Sequence, residues 1–358
     1  MKKIVSIFIL AVLLPLFIFT SCRKYEDANE YAILTEYMKA NNLDLTAITT
    51  GWVKGASLTT ATPTAGIVSP TDFSVPGYTV MDLRSLTDYN AGHIKGAINV
   101  SLANVLTAAP ADKTSKILLV CYSGQTAARA TGFLRMAGYA NAASLKWGMS
   151  CWNANFRPTS GGWNLNATQL NHANWVNTGA PATVSQYNSP ILATGKTTGA
   201  EILAARLATA ITNTSWSVSK TDVLANPTNY FINNKWSQTH FDRYGHISGA
   251  YRLNDDTDGL NIDGLSKFNP QAGTIVTYCY TGQTSSITTS WLNVLGFDNA
   301  KSLSYGACGI IWDTMKNDVT AGNAQASTWR GTGSSSEFNY GYYITNGTVT
   351  DGTYVAPN

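Results

Sequence analysis

Two cysteines of this chain stand in nearly the same hexapeptide. Cys121-Tyr122-Ser123-Gly124-Gln125-Thr126 recurs as Cys279-Tyr280-Thr281-Gly282-Gln283-Thr284. Each cysteine ends a short apolar run, Ile117 to Val120 in one case and Ile275 to Tyr278 in the other. After the first hexapeptide, Ala130, Phe133 and Leu134 have helical spacing. A strand that passes through a tight glycine loop into a helix aims successive backbone N–H groups at one point. The helix N-terminus adds about half a positive charge there. Both effects favour a thiolate, the nucleophilic form of cysteine. Gly124 and Gly282 suit a turn with unusual dihedrals. Cys121 and Cys279 are therefore the candidate nucleophiles. Tyr122 to Thr126 and Tyr280 to Thr284 are the candidate anion- and substrate-binding loops.

The hexapeptides belong to a longer repeat. Upstream, Gly92-His93-Ile94-Lys95-Gly96-Ala97 is matched by Gly245-His246-Ile247-Ser248-Gly249-Ala250. Downstream, Gly138-Tyr139 and Leu145-Lys146-Trp147-Gly148 are matched by Gly296-Phe297 and Leu303-Ser304-Tyr305-Gly306. The order is the same and the spacing nearly so, which implies a duplicated unit. Within a copy, Tyr78 to Met81, Ile117 to Val120 and Ala142 to Leu145 read as short strands. Ile117 to Val120 is apolar on both faces, the mark of a covered strand. Thr126 to Ala137 reads as a helix stopped by Gly138. Strands alternating with helices predict an α/β class, two domains, each a mostly parallel sheet flanked by helices. His93 and His246 are better read as residues that tie down the glycine turns than as acid–base groups.

The chain has 358 residues, enough for two domains with their own cores. Charged residues are 13% and the net charge is +3, with no basic stripe, so nucleic acid is excluded as a partner. A polar, uncharged composition rich in Trp and Tyr also suits a glycan-binding surface. Lys2 and Lys3 followed by the apolar run Ile4 to Phe19 form a leader, and Thr20-Ser21 precede Cys22. This resembles a bacterial lipoprotein signal with Cys22 as the lipidated residue, although Phe19 stands where Leu is usual. The expected location is outside the cytoplasm, anchored through lipid to a membrane on its periplasmic or surface face. The expected division is a signal peptide over 1–21, a linker and helix over 22–50, domain one over 51–180, domain two over 196–330 and a tail over 331–358. Helices are expected over Tyr31 to Ala40 and Thr198 to Ile211. The connector Asn153 to Pro190 carries packing aromatics such as Trp163 and Trp175. The Gly-, Ser- and Tyr-rich tail is either loose or an extra hairpin. Four His and five Cys without close metal-ligand spacing predict no metal.

The ordered set of motifs resembles the rhodanese-like domain, over about Tyr78 to Trp152 and again over Tyr230 to Trp312. The resemblance implies a sulfurtransferase without a cofactor. Cys121 and Cys279 would take sulfur from a small sulfane-sulfur donor, hold it as a persulfide and give it to a thiol acceptor. Departures bear on the substrate. Many members of the family carry an arginine five places after the cysteine, where Thr126 and Thr284 stand here, and Tyr122 and Tyr280 occupy a place that is often basic. An uncharged loop is expected to favour weakly charged donors over dianionic thiosulfate, and it argues against a phosphatase. Asp82-Leu83-Arg84 matches a family motif that Asn233-Asn234-Lys235 has lost, which favours Cys121 as the better carrier. Cys151 and Cys308 follow the last strand of each copy and are candidate resolving or disulfide partners. They fall three and two places after Gly148 and Gly306, so equal geometry in both copies is not expected. Two other functions fit the same residues: a thiol–disulfide or persulfide relay, and a non-catalytic surface binding protein on the same scaffold.

Overall fold

The computed structural model describes residues 29–59, 66–157, 170–322, 328–331, 337–345 and 351–357. The leader, Cys22 and Trp163 lie outside the described residues. Copy one contributes β1 (Val53–Lys54), β2 (Thr79–Asp82), β3 (Ile98–Asn99), β4 (Ile117–Val120) and β5 (Ala142–Leu145). They form a parallel sheet in the order β1-β5-β4-β2-β3. After β6 (Trp175–Val176), copy two contributes β7 (Ser217–Val218), β8 (Phe231–Asn234), β9 (His246–Ile247), β10 (Tyr251–Arg252), β11 (Ile275–Tyr278) and β12 (Ala300–Leu303). Its parallel sheet runs β10-β8-β11-β12-β7, the same topology read from the other edge. The two α/β regions expected from the repeat are present. Central β4 and β11 are buried at every residue, as apolar runs covered on both faces must be.

The two copies share a core. The helix after each cysteine loop, Gln125–Met136 in copy one and Gln283–Val294 in copy two, packs against its counterpart. A Cβ on Gly132 would lie 2.2 Å from Ser290 Oγ, so the crossing needs the small residue. Arg129, 0% exposed, spans the junction. Its Nη1 donates to Asn293 Oδ1 at 2.9 Å and its Nη2 to the Ala210 carbonyl at 2.9 Å. Burial lowers its pKa to about 9. The helices Glu30–Ala40 and Gly199–Ile211 pack together on the same core.

The connector and the C-terminal segment are both fastened down. Strand β6 pairs antiparallel with β9, tying the connector to copy two. Strands β13 (Tyr342–Ile344) and β14 (Thr353–Val355) form an antiparallel pair, the hairpin alternative for the C-terminal segment. It docks on copy one: Phe338 N–H donates to the Cys151 carbonyl at 2.6 Å and Tyr340 N–H to the Trp152 carbonyl at 3.0 Å. Among the described residues no helix is long and apolar enough to cross a membrane.

Candidate active site

Strand β4 carries Cys121 to the carboxyl edge of its sheet, and β11 does the same for Cys279. Gly124 (φ 79°) and Gly282 (φ 80°) are left-handed and turn each chain into its helix. In copy one, the Gly124 N–H lies 3.1 Å from Cys121 Sγ and the Ala127 N–H 3.4 Å from it. Burial pushes the Cys121 thiol pKa up, and the N–H groups of Ala127, Ser123, Gly124 and Thr126 oppose that rise. The cradle expected from the sequence is thus assembled, around a sulfur that is only 5% exposed. In copy two, Cys279 is 2% exposed and its Sγ accepts from the Ser285 N–H at 3.4 Å. The Ser285 hydroxyl, which replaces the methyl of Ala127, lies 3.6 Å from the same sulfur.

The two loops hold each other. Gln125 Nε2 donates to its neighbour Ser123 Oγ at 2.8 Å, while its Oε1 accepts from the Tyr305 N–H of copy two at 2.7 Å. Gln283 repeats this with Thr281 Oγ1 at 3.1 Å and the Trp147 N–H of copy one at 3.1 Å. A backbone N–H can only donate, so the amide orientation is set. Trp147 (φ 61°) and Tyr305 (φ 63°) are both left-handed, an uncommon state for bulky residues. Behind them, a Cβ on Gly148 would fall 2.0 Å from the Cys121 carbonyl oxygen, and one on Gly306 2.4 Å from that of Cys279. The aromatic turns are therefore pressed against the cysteine loops, and each is pinned from the opposite copy. Thr126 and Thr284 sit half-buried at the start of their helices.

Strand register corrects one sequence expectation. Asp82 pairs with Val120 and Asn234 with Tyr278, so the counterpart of Asp82-Leu83-Arg84 is Asn234-Lys235-Trp236, one residue later than expected. In copy one, Arg84 clasps Asp82 (Nη2 to Oδ2, 2.6 Å) and its guanidinium lies 5.3 Å from the centre of the Tyr122 ring. In copy two, Trp236 stacks on Tyr280 at 5.0 Å in the place of that arginine. Asp88 bonds Tyr122, and His240 at the equivalent helix position bonds the Tyr280 hydroxyl. The middle residue, Leu83 in copy one, becomes Lys235, which lies in electrostatic contact with Cys279. Lys235, Ser285, Asp88 and His240 were not singled out from the sequence. The reach of Lys235 depends on a register that only the sheet reveals.

The four described cysteines are free thiols. Cys151 and Cys308 are buried in the core on the other side of the sheets from Cys121. They are not equivalent. The N–H groups of Met149 and Ser150 donate to the carbonyls of Cys121 and Tyr122, as those of Ala307 and Cys308 do to Cys279 and Tyr280. Cys308 therefore matches Ser150, and Cys151 matches Gly309. Burial raises both thiols, that of Cys308 to about 12. Of the glycine-turn histidines, His93 bonds the Tyr89 carbonyl at 2.9 Å and stacks on Tyr89, whereas His246 stacks on Phe241.

Comparison with known proteins agrees with this architecture. The family described as the rhodanese-like domain matches twice, at residues 72–155 and 233–309. The thiosulfate sulfurtransferase GlpE of Pseudomonas fluorescens is 32% identical over 83 residues, 22% of this chain and 74% of that protein. Its counterpart from Pseudomonas entomophila is 34% identical, with the same shares covered. The rhodanese-like domain of the Alr3790 protein from Anabaena sp. is 29% identical, covering 23% of this chain and 95% of that one, with a TM-score of 0.21. Two copies of the cysteine cradle, the matched family profile and relatives aligned over most of their length lead to one assignment: this chain belongs to the rhodanese-like family.

Proposed function

We propose that this chain is an exported sulfurtransferase that moves a sulfane sulfur through cysteine persulfides on Cys121 and Cys279. The observation that carries the reading is a buried strand-end sulfur that accepts from loop and helix N–H groups, those of Gly124 and Ala127 at Cys121 and that of Ser285 at Cys279. Such a site stabilises negative charge on sulfur, both in the attacking thiolate and in the terminal sulfur of a persulfide. In the first step the cysteine thiolate attacks the outer sulfur of the donor. The donor's S–S bond breaks, its leaving group departs with the electron pair, and a Cys–S–S⁻ group remains. In the second step an acceptor thiolate attacks that outer sulfur, and the cysteine thiolate is released. The names of the curated relatives, thiosulfate sulfurtransferases, support this chemistry class. The leader and Cys22 support export and a lipid anchor. Transfer from a sulfane donor to a thiol, measured for Cys121→Ser, Cys279→Ser and the double variant, tests the reading. The double variant should lose transfer. If it keeps the wild-type rate, the persulfide mechanism is wrong. No transfer by the wild type, with both sulfurs so little exposed, would favour the non-catalytic binding scaffold instead.

A further inference from the structure

Copy two differs from copy one at two positions that flank the sulfur. On one side Ser285 replaces Ala127. Its hydroxyl lies 3.6 Å from Cys279 Sγ and is held by Ser302 Oγ at 2.7 Å and the Gly282 carbonyl at 3.1 Å. On the other side Lys235 replaces Leu83. Leu83 N–H donates to the Val120 carbonyl at 2.8 Å, and Lys235 N–H donates to the Tyr278 carbonyl at 2.9 Å, which makes the two positions equivalent. Side chains alternate along a strand. Ile232 and Trp236 face one core, so Lys235 faces the other, the side on which Phe231 packs and on which Cys121 lies in copy one. Leu83 accordingly packs against the apolar core, whereas the Lys235 ammonium donates to the Asn254 carbonyl and interacts electrostatically with Cys279.

We infer that Lys235 is the electrostatic partner of the Cys279 sulfur and makes copy two the half that takes anionic sulfane donors. This rests on the sulfurtransferase reading above and deepens it. The charge absent from the loop, where Thr284 stands, is supplied from the neighbouring strand. With thiosulfate as donor, the Cys279 thiolate attacks the outer sulfur and the S–S bond breaks. Sulfite leaves with the electron pair, and Cys279–S–S⁻ remains. No proton is transferred, and the ammonium balances the anionic sulfur before and after the step. The Ser285 hydroxyl donates its proton to the Gly282 carbonyl and accepts from the neutral Cys279 thiol, so at the thiolate the charge is met by Lys235 and the Ser285 N–H. The groups around Lys235 are consistent with this role. Burial lowers its pKa to about 8, and Cys279, Asp255, Asp256 and Asp258 hold it up. Asp258 is already engaged by Arg252 at 2.7 Å, and Cys308 and Tyr280 are the other titratable groups beside Cys279. Copy one, with Leu83 and Ala127 in these places, is left to weakly charged donors.

The test uses the full chain, with Cys121 as an internal control. Alkylation of each cysteine by iodoacetamide is followed against pH by peptide mass spectrometry. Lys235→Leu copies the aliphatic residue that copy one already accommodates. It should raise the Cys279 midpoint by about one pH unit and leave that of Cys121 unchanged. Lys235→Arg should restore most of the effect, which a merely structural role would not do. Leu83→Lys should lower the Cys121 midpoint. Sulfur loading of Cys279 from thiosulfate should fall about tenfold in Lys235→Leu, while loading from an uncharged organic persulfide changes far less. An unchanged Cys279 midpoint in folded Lys235→Leu would overturn the pairing. A shifted midpoint in a protein that loads no sulfur from either donor would uphold the pairing and overturn the sulfurtransferase reading.

Discussion

Gly148 and Gly306 show how little space surrounds each sulfur. Their left-handed backbones touch the carbonyls of Cys121 and Cys279, and a methyl group at either would collide with backbone. Gly148→Ala should therefore destabilise the protein by about 2 kcal/mol and slow alkylation or sulfur loading of Cys121 specifically. Gly306→Ala should do the same for Cys279. Thermal melts together with site-resolved alkylation check both, and wild-type values in Gly148→Ala would contradict the packed-turn account. At this scale the sequence was informative where a residue's chemistry is local. The cysteine, the glycine after it and the helix start lie within one hexapeptide, and their geometry follows from their order. The environment of each thiol was not legible. Leu83 and Lys235 differ by one letter in a segment whose register is set by pairing with β4 and β11. Residue similarity alone matches that segment one residue early and sets Lys235 opposite Arg84, whereas strand pairing sets it opposite Leu83. The preference for Cys121 rested on Asp82 and Arg84, yet that ion pair lies under Tyr122.

The elements themselves were largely legible. Ile117–Val120 and Ala142–Leu145 are strands with the expected bounds, and the loop helix begins at Gln125, one residue before the expected start. These segments are short, apolar and bounded by glycine, so local pattern and tertiary context agree. What local pattern cannot carry is contact between elements 158 residues apart, as when Gln125 lies against its counterpart's loop. The crossed glutamines make a crossed prediction. Gln125→Ala removes the acceptor for Tyr305 N–H and loosens the turn over Cys279, so alkylation of Cys279 should accelerate more than that of Cys121. Gln283→Ala should show the reverse, because it frees Trp147. Each change should cost about 1–2 kcal/mol, the penalty for a buried N–H left without a partner. Equal effects of either variant on both thiols would mean that the loops are not cross-pinned.

At the scale of the molecule, two domains are fused through one core and the C-terminal hairpin is folded back over copy one. Copy two also carries two histidines whose pKa values are lowered. Burial is the leading cause for both. For His240, Arg243 adds to the drop and Asp318 opposes it, while for His246 Asp242 opposes it. A lowered folded-state value means that, below the ordinary histidine pKa of about 6.5, the unfolded chain takes up protons that the folded chain does not. Stability should therefore fall as pH drops from 7.5 to 5.5, and the slope should be shallower in His246→Asn. Melting midpoints across that range check the sign, and a midpoint that rises on acidification would contradict it. The central claim, that both halves carry sulfur on their loop cysteines, is tested most directly by mass spectrometry of the purified full chain. The protein is exposed to thiosulfate or to an organic persulfide and digested without reductant. The account predicts one added sulfur on the Cys279 peptide with either donor and on the Cys121 peptide with the organic persulfide, and none on those of Cys151 and Cys308. Sulfur absent from both loop cysteines, or carried by Cys151 or Cys308 instead, would contradict it.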